Sequence, residues 1–218
     1  MGTVKPLQDQ LLLEMARLLL PLGFNFRRNS QSFYRKTTLG RWAFHLAFIR
    51  HAGDFDITAD VAVRFDAAED VVNRHVDYLS QSEKKQTFTL GAELGNIERI
   101  GQRRWTITSS ADVTTVASSI LKTFERVGLP YLEQLGDPDR ALEALSKNDR
   151  TAWLHSPFHD SRCKRIVALA VAYGKSDRVR DLISSCRKFL AEREDPGLKE
   201  FTRFLESLEQ PFSMVKDQ

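Results

Sequence analysis

Two neighbouring stretches of this sequence alternate apolar residues with polar or small ones, and this alternation constrains the fold more than any other feature. Every odd-numbered residue from Phe55 to Phe65 is apolar, and every even-numbered residue from Trp42 to Phe48 is large and apolar. Side chains of a strand point alternately to the two faces of its sheet, so this period predicts strands with one buried and one solvated face. Ala52-Gly53 lies between the stretches and suits a tight turn. The sequence therefore predicts an antiparallel β-hairpin.

The turn positions also predict which polar side chains meet on the solvated face. A two-residue loop at Ala52-Gly53 places His45 opposite Asp60, and one at Leu39-Gly40 places Tyr34 opposite His45. Directly opposed side chains are about 4.5–5.5 Å apart at Cβ, which is close enough to interact. A carboxylate beside a histidine raises its basicity, as a general base requires. The row is therefore a catalytic candidate, although an exposed ionic ladder without catalytic role is the preferred interpretation.

The remaining periodicities predict an α+β fold. Apolar residues at helical spacing indicate helices over residues 7–22, 66–79, 111–127 and 138–145. Further strands are predicted at residues 32–38, 88–90, 96–100 and 103–107, with Gly101-Gln102 as a hairpin turn. Residues 1–146 are expected to form an antiparallel β-meander sheet with helices packed on one face. Residues 147–218 are expected to form an α-helical tail of three short helices, beginning with a linker at 147–156.

Composition excludes several classes of protein. The chain has 218 residues, of which 42% are hydrophobic, and this is enough to build a core and to exclude wholesale disorder. No apolar run reaches the about 18 residues that a membrane span needs, so no membrane partner is expected. No secretory signal is recognised, and two cysteines, Cys163 and Cys186, are too few for a disulfide scaffold. These observations predict a cytoplasmic protein with reduced cysteines.

One spacing raises the question of a metal site. The potential ligands His155, His159 and Cys163 recur every four residues, which can align zinc ligands on one helix. Pro157 lies between the histidines and is expected to start a helix, which leaves His155 outside it. The preferred interpretation is a capping histidine and a small buried cysteine, so no metal and no cofactor are predicted.

Basic residues are concentrated between Arg162 and Lys188, where eight of them accompany only Asp177 and Asp181. The residues predicted to form a binding surface are Arg162, Arg165, Arg178, Arg180, Arg187 and Lys188. Guanidinium groups pair with carboxylates and phosphates alike, so the set indicates an acidic protein partner or a phosphate backbone, an ordinary solvated helix face being the third interpretation. No stacking aromatics are interleaved with these residues, which favours protein over nucleic acid.

The order of elements and three short motifs resemble a known family. The motifs are Gly23-Phe24, Phe33-Tyr34-Arg35 and Leu129-Pro130-Tyr131-Leu132-Glu133. Over roughly residues 7–135 the chain resembles the bacterial small α+β domains of unknown function that share these "GF", "FYR" and "LPYLE" patterns. The resemblance implies no established enzymatic activity, and it implies a role among the immunity or accessory proteins of bacterial conflict systems.

Signature motifs of the common enzyme classes are not found in the sequence, including the phosphate-binding loop, the nucleophile elbow and the zinc-binding helix. The predicted function is therefore that of a non-enzymatic protein–protein interaction protein of the bacterial cytosol, an immunity or defence-system accessory component. Two alternatives stay open. One is a nucleic-acid-binding module that uses the basic tail, and the other is a hydrolase-like enzyme that uses Tyr34, His45 and Asp60.

Overall fold

The computed structural model describes residues 4–74 and 76–213. An antiparallel sheet is combined with helices, so the predicted α+β fold is confirmed. The strands are β1 (Asn25–Arg27), β2 (Ser32–Thr37), β3 (Gly40–Arg50), β4 (Phe55–Phe65), β5 (Leu90–Glu93) and β6 (Trp105–Ile107). The helices before residue 137 are α1 (Val4–Leu19), α2 (Asp66–Asn73), α3 (Gln81–Lys84), α4 (Leu94–Ile97), α5 (Asp112–Thr123) and α6 (Leu129–Leu135). The later helices are α7 (Pro138–Ser146), α8 (Arg150–His155), α9 (His159–Ala172), α10 (Ser176–Ala191) and α11 (Leu198–Ser213).

The chain forms two compact units, each built from two separate pieces of sequence. The first unit joins Met1–Val63 to Gly91–Asp137, and the second joins Arg64–Leu90 to Pro138–Gln218. The last residues of β4 therefore belong to the second unit. The sequence predicts a division of the chain between residues 146 and 147 into two domains that are each continuous in sequence. That division stays a prediction.

The sheet runs in the order β1-β2-β3-β4-β5, which is the predicted meander. β6 also pairs with β4, with Phe55 opposite Ile107 and Ile57 opposite Trp105. β6 therefore joins the first residues of β4 and extends the sheet beyond the central hairpin.

The register between β2 and β3 differs from the prediction by two residues. Ser32 lies opposite His45, and Tyr34 lies opposite Ala43. The loop is Thr38-Leu39, one residue earlier than predicted. Moving a loop by one residue shifts every opposed pair by two, so each side chain keeps its face but changes its neighbour. The predicted opposition of Tyr34 and His45 is therefore wrong.

The turn between β3 and β4 lies at the predicted position. The backbone N–H of His51 donates to the Asp54 carbonyl over 3.0 Å, which closes a two-residue turn at Ala52-Gly53. Pairs continued from this turn oppose His45 and Asp60, and this agrees with the electrostatic effect of His45 on Asp60.

Aromatic residues of the alternating strands lie in the core, as the period of two predicts. Phe33, Phe44 and Phe55 are completely buried, and the ring centroid of Phe44 lies 4.8 Å from that of Phe124. Helices α1 and α5 pack against each other in the same unit. Each large apolar side chain contributes about 1.5–3 kcal/mol when it is buried, so this cluster stabilises the first unit strongly.

Gly128 does not end its helix, contrary to the pattern expected of a glycine followed by a proline. α5 continues through a π-helical turn (Phe124–Gly128) directly into α6. A Cβ at residue 128 would lie 2.7 Å from the Phe124 ring and 2.9 Å from the Leu94 side chain, so this position requires glycine for close packing. Pro130 follows directly on the π-helical turn, where its missing N–H interrupts the regular i to i−4 hydrogen bonds of the helix.

Two other predicted elements are wrong. α2 ends at Asn73 and does not continue to residue 79; His75, which the sequence places on its apolar side, lies outside the described residues. The predicted strand at 96–100 is not formed: its first two residues end helix α4, which the Glu93 carboxylate caps by accepting the Asn96 N–H over 2.9 Å, and the next residues form a turn. Gly101-Gln102 therefore does not form a hairpin turn.

The even-numbered face of β4 is not open to water at its far end. The alternation places Arg64 on the solvated face, yet this residue is only 4% exposed. Its Nε donates to Asp66 Oδ1 over 2.7 Å, and its Nη1 donates to the carbonyls of Lys84 and Thr87 over 3.1 and 2.8 Å. A buried guanidinium requires such acceptors. The segment from Lys84 to Thr87 thus covers this end of the strand.

α9 is the central helix of the second unit. It packs against α2, α7, α10 and α11, and every residue from Ile166 to Ala170 is buried. The three predicted tail helices correspond to α9, α10 and α11. The predicted linker contains one more helix, α8, because the Asp149 carboxylate accepts the N–H groups of Thr151 and Ala152. In the described part of the chain, no helix combines the length and apolar character needed to cross a membrane.

Candidate functional site

His45 is hydrogen-bonded to Ser32 and not to Tyr34. The His45 Nδ1 and Ser32 Oγ atoms are 2.9 Å apart, and the Ser32 hydroxyl donates its proton to the Ser30 carbonyl over 2.7 Å. A hydroxyl has a single proton, so the Ser32 oxygen accepts the Nδ1–H of His45. A nucleophilic serine donates to its histidine instead. Ser32 is also 5% exposed, so this bond orients the imidazole and gives Ser32 a structural role.

Asp60 interacts electrostatically with His45. Burial raises the pKa of Asp60, the charge of His45 opposes this shift, and the Glu93 carboxylate adds to it. The net result is a pKa of Asp60 above its ordinary value. Tyr34 is engaged elsewhere, with the Arg41 guanidinium 5.3 Å from its ring centroid. The structure thus brings His45 and Asp60 together and leaves Tyr34 outside their interaction.

The residues with metal-like spacing have separate partners. His155 is 8% exposed, and burial lowers its pKa to about 4. His159 Nδ1 lies 2.9 Å from Asp195 Oδ2, and Cys163 is a buried free thiol whose pKa is raised by its interaction with Cys186. Among residues 4–74 and 76–213, no three His, Cys, Asp or Glu side chains are grouped so that they could hold a metal ion.

The basic residues predicted as a binding surface divide into two groups, and the first group points inward. Arg162 is 1% exposed, its Nη2 donates to Asn148 Oδ1 over 3.1 Å, and its guanidinium carbon lies 4.7 Å from the Phe189 ring centroid. Arg165 donates from Nε to Glu69 Oε1 over 3.0 Å, and the Glu69 side chain is completely buried. Both arginines belong to the central helix α9, so their charges are used inside the unit.

The second group is exposed on α10. Arg178, Arg180 and Arg187 are exposed, and their side chains form no ion pair or hydrogen bond with any residue that the structure describes. Lys188 is exposed as well, with its Nζ 3.8 Å from Glu192 Oε1. We call Arg178, Arg180, Arg187 and Lys188 the α10 basic face.

Helical geometry aligns part of the α10 basic face. Arg180 and Arg187 are two turns apart, so they project from the same side of the helix. The opposite side is buried in the unit through Cys186, Phe189 and Leu190. Asp177 and Asp181 are also exposed on this helix, so positive and negative groups are interspersed along it.

The second unit also exposes two aromatic side chains. Trp153 is 57% exposed and Phe158 is 73% exposed. The Trp153 indole donates from Nε1 to the Pro157 carbonyl over 3.1 Å, which fixes the ring although it is exposed. Rigid exposed tryptophans are typical hot spots of protein interfaces.

A further group of basic residues comes together although no sequence period connects them. They come from the end of β4, the end of α2 and the end of α3, and they line a cleft of about 380 Å³. The lining side chains are Arg64, Arg74, Lys84, Lys85, Asp70, Asn73 and Gln81. We call this the basic cleft. In the sequence, only the adjacent lysines Lys84 and Lys85 point to the basic cleft. No feature of the sequence predicts that Arg64 is buried.

Comparison with known proteins gives no family model, no curated protein and no solved structure that matches this chain. The resemblance to the bacterial small α+β domains therefore stays an expectation that rests on the "GF", "FYR" and "LPYLE" motifs.

Proposed function

We propose that this chain is a non-enzymatic protein of the bacterial cytosol that binds an acidic protein partner through the α10 basic face. The observation that carries the proposal is the exposure of Arg178, Arg180 and Arg187 without an ion pair in the described part of the chain. Arginine is well suited to this role because its planar guanidinium pairs with carboxylates in a bidentate manner. The resemblance stated above adds the expectation of an immunity or defence-system accessory protein.

Two observations favour a protein partner over a nucleic acid. Asp177 and Asp181 are exposed on the same helix and would repel a phosphate backbone, whereas a protein surface can offer basic groups to match them. The same unit exposes Trp153 and Phe158, and aromatic residues together with arginine are enriched in protein interfaces. Electrostatic complementarity of this kind contributes mainly to association rate and specificity.

The test is a double charge reversal, Arg180→Glu with Arg187→Glu. Affinity capture from the native host with quantitative mass spectrometry should show acidic proteins bound by the unmodified chain and lost from the variant. Arg27→Glu with Lys36→Glu is the matched control, because both residues are exposed in the first unit and the change in net charge is the same.

Equal capture of the same acidic proteins by all three chains contradicts the proposal. Fluorescence anisotropy with DNA and RNA over a salt series tests the nucleic-acid alternative in parallel. A steep salt dependence that the α10 variant alone loses, without loss of a protein partner, would establish nucleic-acid binding instead.

A further inference from the structure

The basic cleft of the second unit has the size and charge of a small-ligand site. Its volume of about 380 Å³ lies within the range of about 300–1,000 Å³ that is typical of small-molecule pockets. Four of its lining side chains are cationic, and Asp70 is its one lining carboxylate among the described residues. Like charges gathered in a concavity repel one another, so such a site gains from a bound anion.

The guanidinium group of Arg64, which lines this cleft, is held in a fixed position. Its Nε and Nη1 donate to Asp66, Lys84 and Thr87, which hold the guanidinium plane in place. Its Nη2 has Asp70 Oδ1 at 3.7 Å, beyond hydrogen-bonding distance. The donors of Nη2 are therefore not committed to an acceptor in the described chain, although Arg64 is 4% exposed.

A second buried side chain, that of Asn73, holds the same Lys84–Thr87 segment in position. Asn73 is 6% exposed and donates from Nδ2 to Thr87 Oγ1 over 2.7 Å and to the Lys84 carbonyl over 3.2 Å. The Thr87 hydroxyl in turn donates to the Lys84 carbonyl over 3.0 Å. Arg64 and Asn73 thus bind the same backbone carbonyl from two elements, and this fixes the segment that carries Lys84 and Lys85.

We propose that the basic cleft binds a small phosphate-bearing ligand. Arg64 would offer Nη2 from a preorganised position, and Arg74 and Lys84 would complete the pairing from the ends of α2 and α3. Arg74 is exposed and forms no ion pair with a described residue, so it is available for such a contact. Arg64 is paired with Asp66 through Nε, and the lining carboxylate Asp70 is exposed, with 75% of its side chain accessible.

Phosphate fits these observations better than a carboxylate does. A phosphate group carries up to two negative charges and several acceptor oxygens, which matches several converging cations, and arginine pairs with it in a bidentate manner. A carboxylate offers one charge and two oxygens. The lining is polar and charged rather than aromatic, so the phosphate group itself is the recognised part of the ligand.

This site is independent of the α10 basic face. It uses β4, α2 and α3, and none of its lining residues lies on α10. An Arg180→Glu, Arg187→Glu chain should therefore bind phosphate ligands normally, and a chain altered in the basic cleft should retain its acidic protein partner. Failure of one proposal leaves the other testable.

The experiment is a titration of the full chain with inorganic pyrophosphate at constant ionic strength, followed by calorimetry and by NMR of the arginine side chains. We expect saturable binding and weaker binding of citrate, a polycarboxylate of similar size. Arg74→Gln with Lys84→Gln should weaken pyrophosphate binding about tenfold or more, because two charge-assisted contacts are lost. The side chain of Lys84 can be changed because the network uses only its backbone carbonyl.

Arg27→Gln with Lys36→Gln removes the same charge from the first unit and should leave pyrophosphate binding unchanged. Equal weakening in this control would show diffuse attraction and overturn the proposal. The absence of saturable binding to the unmodified chain would overturn it as well, and citrate binding as tight as that of pyrophosphate would refute the phosphate class.

Discussion

Helices α9 and α10 follow each other in the sequence and both contain several arginines, yet their arginines differ in burial and in pairing. Arg162 and Arg165 on α9 are buried or paired, whereas Arg180 and Arg187 on α10 are exposed without an ion pair in the described chain. α9 packs against four other helices of its unit, whereas α10 packs chiefly against α9 and α11. The position of a helix in its unit, rather than its composition, decides whether an arginine is available for binding.

The buried basic residues of the second unit also differ in how they meet the cost of burial. Arg165 pairs with a buried carboxylate, Arg162 packs on an aromatic ring and an amide, and His155 loses its proton because burial lowers its pKa to about 4. Buried charges are costly unless they are paired or neutralised. These three solutions lead to different responses to mutation and to pH.

The largest effect is expected for Arg165→Met. Its removal leaves the Glu69 carboxylate buried, and Oε2 of Glu69 already has no hydrogen-bond partner in the described chain. The free energy of unfolding, measured in urea, should fall by about 3–5 kcal/mol. Arg178→Met, the same change at an exposed site, should stay within about 0.5 kcal/mol.

A second substitution tests the cause of that loss. Glu69→Met in the Arg165→Met chain removes the stranded carboxylate and should restore most of the stability, because a buried ion pair can be replaced by apolar groups of similar volume. A double variant as unstable as Arg165→Met alone would show that packing, and not the ion pair, accounts for the effect.

His155 predicts a pH dependence of stability. Its pKa of about 4 in the folded protein lies below the ordinary value of 6.5, so the unfolded chain binds more protons between these values. The free energy of unfolding should therefore fall by about 3 kcal/mol as the pH decreases from 6.5 to 4. Denaturant melts of His155→Leu over this range should have a flatter profile than the unmodified chain. Parallel profiles would contradict the assignment.

The sequence predicts the hairpin well because its signal is local. The alternation gives the bounds of β4 without error, and Ala52-Gly53 gives the turn. The turn before β3 is misplaced by one residue, since Thr38-Leu39 and Leu39-Gly40 are equally compatible with the period of two. Local pattern fixes the face of each residue, but the geometry of the turn fixes its neighbour.

Errors elsewhere arise where distant segments decide the outcome. Gly128 is used inside a helix because the side chains of Phe124 and Leu94 pack where a Cβ would lie. Arg64 is buried because the Lys84–Thr87 segment covers it. The basic cleft depends on the same segment and so could not be derived from spacing. Of the candidate site, the shared side of Arg180 and Arg187 follows from helical period, whereas the inward position of Arg162 and Arg165 depends on the packing of α9.

A smaller effect is expected for Arg162→Met. No carboxylate pairs with Arg162 in the described chain, and its Nε has no hydrogen-bond partner there, so the substitution removes a charge that is costly to bury. The variant should be at least as stable as the unmodified chain, to within about 1 kcal/mol, in the same urea melts. A loss as large as that of Arg165→Met would show that the interactions of Arg162 with Asn148, Phe189 and the more distant Asp149 outweigh the cost of burying its charge.

The smallest effect on stability is expected for Arg180→Ala with Arg187→Ala. Both side chains are exposed and unpaired in the described chain, so their removal should change the free energy of unfolding by less than about 0.5 kcal/mol. Binding of the acidic partner by the same preparation should fall about tenfold or more, because interface arginines are frequent hot spots. Measuring both quantities separates a binding surface from a structural one. If stability falls while binding to the partner is retained, these arginines support the fold. The α10 arginines would then be structural, like those of α9, and the contrast between the two helices would be wrong.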